Sequence, residues 1–304
     1  MAYLQIHREP PALRDPVLIV AFAGWNDASE VATWSARYLV QQWAATQFAE
    51  IDGEEFYVFS ELRPHVRLDS AGQRFITWPA NEFYYHRSTR AGRDFLVLLG
   101  IEPQLKWKTF ITTVLDVVRR FDVRIVFTLG GLLAAVPHSV PARLTASSTD
   151  ASFAERLADL RTRGPGYQGP TGIVGVLNSR CQQEGFATAS MWGNVPHYLQ
   201  ATPNFKVAAA MLRRLDHVLD LKLNLASADA LAARFEAQVA EAVERSPEIA
   251  SYVRQLEEQA QEEAQEEATA PPPPDLPSGD VLVQELEEFL RERREQDEEN
   301  PSQG

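Results

Sequence analysis

The sequence has little of what usually announces a location or a chemistry. Its 304 residues include one cysteine, Cys181, which excludes an internal disulfide and suits a reducing compartment. No apolar run approaches the roughly 20 residues that cross a bilayer. The opening stretch, MAYLQIHREPPALRDP, has no apolar signal core, so a cytoplasmic protein with no membrane partner is expected. Nucleophile-elbow, P-loop and dinucleotide fingerprints are all missing, and the histidines do not cluster at metal-ligand spacing. Neither a cofactor nor a metal is expected. A concentrated basic face is lacking too: the net charge is -13, and 20 of the 42 acidic residues fall from Glu236 onward with only 5 of the 29 basic ones. The preceding part is near neutral, so nucleic-acid binding is not expected.

What the chain does have is continuous apolar runs, each followed by a polar loop. VLIVAFA leads into Gly24, Trp25, Asn26 and Asp27; DFLVLLG leads into Glu102; RIVFTLGG and ATASMWG each precede a Val-Pro-His, at Val136-Pro137-His138 and Val195-Pro196-His197. Uninterrupted apolar runs separated by helical stretches predict a mostly parallel sheet covered on both faces. Ligands of such sheets bind beyond the carboxyl ends of the strands. The spacing therefore nominates Trp25, Asn26, Asp27, Glu102, His138, Asn194 and His197 as loops for a ligand or an interface. The glycines that end three of these runs are read as strand exits.

The intervening segments complete an α/β three-layer sandwich. Asp27 precedes VATWSARYLVQQW as a helix N-cap. Residues 106–121 form an amphipathic helix, and TGIVGVL at residues 171–177 reads as a further strand. Ser147, Ser148, Thr149 and Asp150 are all placed to cap a helix running to Arg163. EEFYVFSELRPHVRLD and QRFITWPANEFYYHR read as strands of a hairpin-like insertion, in which Arg63 offers a bidentate contact for an anion. After Pro203 come helical stripes, broken at Pro247. The expected organisation is an α/β core at 1–224, a helical extension at 225–268, a Pro-rich linker at 269–280, and an amphipathic helix with an acidic tail at 281–304.

Each chemical reading competes with a structural one. His138 and His197 suit acid–base work, yet a proline-stiffened loop also uses a histidine to bond its neighbour. Two histidines with Asp27 or Glu102 would make a two-histidine, one-carboxylate metal set, but these positions are tens of residues apart. Ser139 adjoins His138 without an elbow around it. Cys181 reads as a small buried apolar group.

The segments AFAGWNDASEVA, LRPHVRLDSAGQRFITWPANEF, LLGIEPQLKWKTF, TLGGLLAAVPHSVP, TGIVGVLN and MWGNVPHYLQATPN resemble the bacterial, mainly actinobacterial, branch of the family named after the second proteasome assembly chaperone. The resemblance implies a fold similar to purine nucleoside phosphorylases and no catalytic residue. It also implies a non-enzymatic assembly factor with a protein partner, proteasome-related, acting as a homo-oligomer, with a trimer among the options. Some relatives dock through a hydrophobic-tyrosine-any tail, whereas this sequence finishes Asn-Pro-Ser-Gln-Gly, so docking by that route is not expected. The alternative is a nucleoside hydrolase or phosphorylase-like activity in the strand-end loops.

Overall fold

The computed structural model describes residues 3–160, 168–199 and 203–269. The Pro-rich linker and the terminal amphipathic helix expected from the sequence lie outside the described residues. One compact unit reaches to Ala260.

The first strands are β1 (Leu4–Ile6), β2 (Val17–Ala23) and β3 (Thr46–Ile51), followed by the hairpin strands β4 (His65–Leu68) and β5 (Arg74–Thr77). Then come β6 (Asn81–His86), β7 (Phe95–Ile101), β8 (Ile125–Ala134), β9 (Leu144–Ser148) and β10 (Ala187–Pro196). Eight of them form one sheet in the order β1-β3-β6-β7-β2-β8-β10-β9, and β4 pairs only with β5. The four central strands β7, β2, β8 and β10 are parallel, while β6, β3, β1 and β9 join antiparallel at the flanks.

Strand β2 explains the layering. Val17 to Phe22 are all fully buried, and successive side chains point to opposite faces. Val17, Ile19 and Ala21 join a core with α1 (Val31–Gln42), α3 (Ala151–Arg156), α5 (Phe205–Leu219) and α6 (Ala226–Glu244). Leu18, Val20 and Phe22 join a second core with α2 (Trp107–Arg120) and α4 (Ile173–Gln183). Two cores, one on each face, make the three-layer α/β sandwich. The last described helix, α7 (Pro247–Thr269), follows the break at Pro247. No described helix is long and apolar enough to cross a membrane.

Four expectations are corrected. TGIVGVL is not a strand: Ile173 opens α4, whose Ile173, Val174, Leu177 and Cys181 fall at helical spacing on the buried side. The helix capped by Asp150 spans Ala151–Arg156 rather than continuing to Arg163. Nor do the glycines end their strands, because β8 continues through Gly130 and Gly131 to Ala134, and β10 through Gly193 to Pro196. Close approach explains them instead. A Cβ on Gly131 would stand 2.5 Å from Val31, one on Gly193 2.5 Å from Val207, and one on Gly130 inside the Trp192 ring. QRFITWPANEFYYHR also divides: Arg74–Thr77 stays in the hairpin, while Asn81–His86 enters the main sheet.

Candidate functional site: the carboxyl edge of the parallel strands

Strands β2 and β7 are in parallel register through Ala23 and Ile101, so the next residues of both leave the sheet together. Gly24 turns with φ +124°, a conformation side chains rarely adopt. This turn places Trp25 and Asn26 over the carboxylate of Glu102. Glu102 Oε1 accepts from Asn26 Nδ2 at 2.8 Å and from the Ile173 amide at 2.7 Å, and Oε2 accepts from the Trp25 amide at 3.3 Å. The Asn26 carbonyl accepts from the Gly131 amide at 2.7 Å, which ties the turn to β8. A carboxylate at the first amide of α4 is favoured by the helix dipole as well as by the hydrogen bond. That carboxylate satisfies the first backbone amide of the helix, one of the donors that a helix start leaves open. Gly172 is required beside it, since a Cβ there would overlap the Asn26 amide group. The Asn26 Oδ1 atom is buried with no hydrogen-bond partner among the described residues.

Asp27 points the other way, into the start of α1. Its Oδ1 accepts from the Ala32 amide at 2.7 Å and the Thr33 amide at 3.3 Å, and Oδ2 accepts from the Thr33 hydroxyl. The cap acts from four residues ahead of the helix because a 3-10 turn, Ala28–Glu30, intervenes with Ser29 and Glu30 at positive φ. Burial pushes the Asp27 carboxyl up to about 6, against the lowering effect of the bonds from Thr33 and Ala32.

The two Val-Pro-His segments stand side by side because β8 and β10 are in register up to the Ala134 and Pro196 pair. Each histidine is engaged by a tyrosine. His138 Nδ1 lies 2.8 Å from Tyr198 Oη, whose oxygen also accepts from the His138 amide at 2.7 Å. The His138 carbonyl accepts from Lys206 Nζ at 2.6 Å, and Lys206 pairs with Glu236 on α6. Burial, followed by the neighbouring Lys206 charge, lowers the His138 pKa and keeps the ring neutral. His197 Nδ1 lies 3.1 Å from the Ala134 carbonyl, which fixes the proton there and leaves Nε2 to accept from Tyr252 Oη at 2.9 Å. Tyr252 belongs to α7, and Ser139 bonds Glu257 on the same helix. The paired loops are thus the seat on which α7 docks.

The nominated residues therefore separate. Trp25, Asn26 and Glu102 form one group, and His138 and His197 form a second with Tyr198 and Tyr252 between them. Asn194 lies half-buried in β10, its amide donating to the Arg143 carbonyl at 3.0 Å. Arg63 is exposed just ahead of β4, in contact with neither group. Among the described residues no cluster of three or more His, Cys, Asp or Glu is arranged to hold a metal. Cys181 is fully buried, and burial pushes its thiol up to about 12, so it is not a nucleophile at neutral pH. Tyr198 and Tyr252 were not among the nominated residues. The first was legible as the residue after the second Val-Pro-His; nothing in the sequence marked the second.

Between Trp25, Leu133, Trp192 and the Gly172 backbone lies an open cleft of about 610 Å³. Asn26, whose Oδ1 has no hydrogen-bond partner among the described residues, lines it. Proteins of similar structure share this architecture. A PAC2 family protein from Streptomyces avermitilis is 34% identical over 79% of this chain and 100% of its own, with a TM-score of 0.72. A proteasome-assembly chaperone homologue from Mycobacterium tuberculosis is 36% identical over 78% of this chain and 99% of its own, with a TM-score of 0.69. An archaeal proteasome activator from Pyrococcus furiosus, 22% identical over 80% and 99% with a TM-score of 0.64, shares the fold. Comparison with curated proteins gives no match. The PAC2 family itself matches residues 21–243, and over that span, which includes both Val-Pro-His loops and the Glu102 turn, the chain belongs to the PAC2 family.

Proposed function

We propose that the chain is a cytoplasmic, non-enzymatic assembly factor that binds a proteasome-related protein partner and acts as a homo-oligomer. The observation that carries this reading is the 36% identity, over 78% of the chain, to a proteasome-assembly chaperone homologue. The edge chemistry supports it. Glu102, Asp27, His138 and His197 each meet a backbone or side-chain partner within the chain, which leaves their hydrogen-bonding capacity spent on holding loops and helices.

The test is reconstitution. Purified full-length chain is mixed with the proteasome subunits of its own source, and complex formation and the rate of proteasome assembly are followed by light scattering and native electrophoresis. A stoichiometric complex, or faster assembly, is expected. No complex together with an unchanged assembly rate would overturn the reading.

A further inference from the structure

Two exposed apolar surfaces lie outside the edge. The first is the β4–β5 hairpin, every residue of whose strands is exposed. Its register pairs Val66 with Ile76 and Leu68 with Arg74, so Val66, Leu68 and Ile76 share one face. These three are 49%, 68% and 54% exposed. A two-stranded hairpin with neither face covered is marginal alone and gains its stability from something packed on it. Its charged residues are mainly basic: Arg63, Arg67 and Arg74 form no ion pair with any described residue.

The second surface is a groove of about 650 Å³ between α5, α6 and α7, lined by Phe205, Phe235, Val239, Val243, Ile249 and Tyr252. One carboxylate, Glu248, stands in its lining, exposed and in no ion pair with a described residue. The hairpin leaves the sheet between β3 and β6, whereas the groove adjoins the side of β8 and β10, with β7 and β2 in between. No hairpin residue lines the groove.

We propose that the β4–β5 hairpin of one copy seats its Val66–Leu68–Ile76 face in the α5–α6–α7 groove of a second copy, with Arg74, which shares that face, against Glu248. The apolar face supplies the buried centre and the opposite charges select the orientation. The joined surfaces differ, so the contact closes reciprocally in a pair or sequentially in a ring. The inference rests on the self-association part of the proposed function and is independent of its partner.

The test uses the full chain, 34.0 kDa per copy, in sedimentation velocity. The wild type is expected to run as two or more copies. L68D and I249D, both at exposed positions, should each weaken association by about 30-fold or more while circular dichroism stays unchanged. An equimolar mixture of L68D and I249D chains should form a two-copy species, because one intact hairpin and one intact groove remain. A monomeric wild type, an I249D chain that still assembles, or a mixture that stays monomeric would each overturn the proposal. As a second measurement, R74E and E248R should each weaken association and their combination in one chain should restore it; failure of that rescue also counts against the contact. A monomeric chain that still binds proteasome subunits would sink this interface and spare the assembly reading, whereas an oligomer that binds none would do the reverse.

Discussion

The carboxyl edge and the β4–β5 hairpin are opposites. At the edge, polar groups are gathered and nearly all are bonded to one another; on the hairpin, apolar groups are gathered and none is covered. The contrast teaches that the polar side chains at the edge are mostly committed to the chain's own architecture, whereas the hairpin turns its apolar side chains to solvent.

Glu102→Ala breaks the edge most severely. It orphans the Ile173 amide and Asn26 Nδ2 together, and with charged hydrogen bonds each contributing roughly 1.5–3 kcal/mol, the loss in unfolding free energy should be about 4 kcal/mol. Urea denaturation measures it; a loss under 1 kcal/mol would mean that α4 needs no carboxylate. Asp27→Asn sharpens the electrostatics. The folded-state pKa of Asp27 is raised, so the native state holds the proton more tightly, and the associated stability is present below about pH 4 and lost as pH rises through about 6. The difference between wild type and variant should therefore change by about 3 kcal/mol across that window, to the wild type's disadvantage. A difference that stays flat from pH 4 to 6 would show that the carboxyl is not desolvated.

Tyr252→Phe removes one hydrogen bond, to His197 Nε2, and should cost about 1 kcal/mol, with hydrogen exchange accelerating in α7 before the sheet. Uniform acceleration would break the view of the Val-Pro-His pair as a seat for that helix. The smallest stability effect belongs to the hairpin: in thermal unfolding at a dilution where the chain is monomeric, Val66→Ser should stay within about 0.5 kcal/mol of wild type, since the side chain is 49% exposed in the single chain.

Central elements were legible and conditional ones were not. VLIVAFA, DFLVLLG, RIVFTLGG and ATASMWG are buried on both faces, so their continuous apolar composition is the direct imprint of their position. The flanking strands Thr46–Ile51 and Leu144–Ser148 are only partly buried and mix polar with apolar residues, so they carry no comparable signature. TGIVGVL reads as a strand because Thr171, Ile173, Val174 and Val176 are β-branched, yet Ile173, Val174, Leu177 and Cys181 fall at helical spacing, and the first amide is taken by Glu102, 71 residues earlier, a contact that no local propensity encodes. At the edge, the convergence of Asn26 with Glu102, and of His138 with His197, followed from strand order. That each histidine would be held by its own tyrosine did not, because Tyr252 arrives on a helix whose docking is set by the fold as a whole.

The carboxylate at the start of α4 has a competitive consequence. A helix N-terminus with a free amide is a general receptor for phosphate and other anions, but here the receptor is supplied with a ligand on the same chain. Glu102 is held at its amide by the register of β2 and β7, so its effective concentration exceeds the millimolar value that even a short flexible tether provides. A dissolved anion reaches the Ile173 amide only by displacing Glu102, which already accepts from it at 2.7 Å, while Trp25 on the rim of the cleft is 65% exposed.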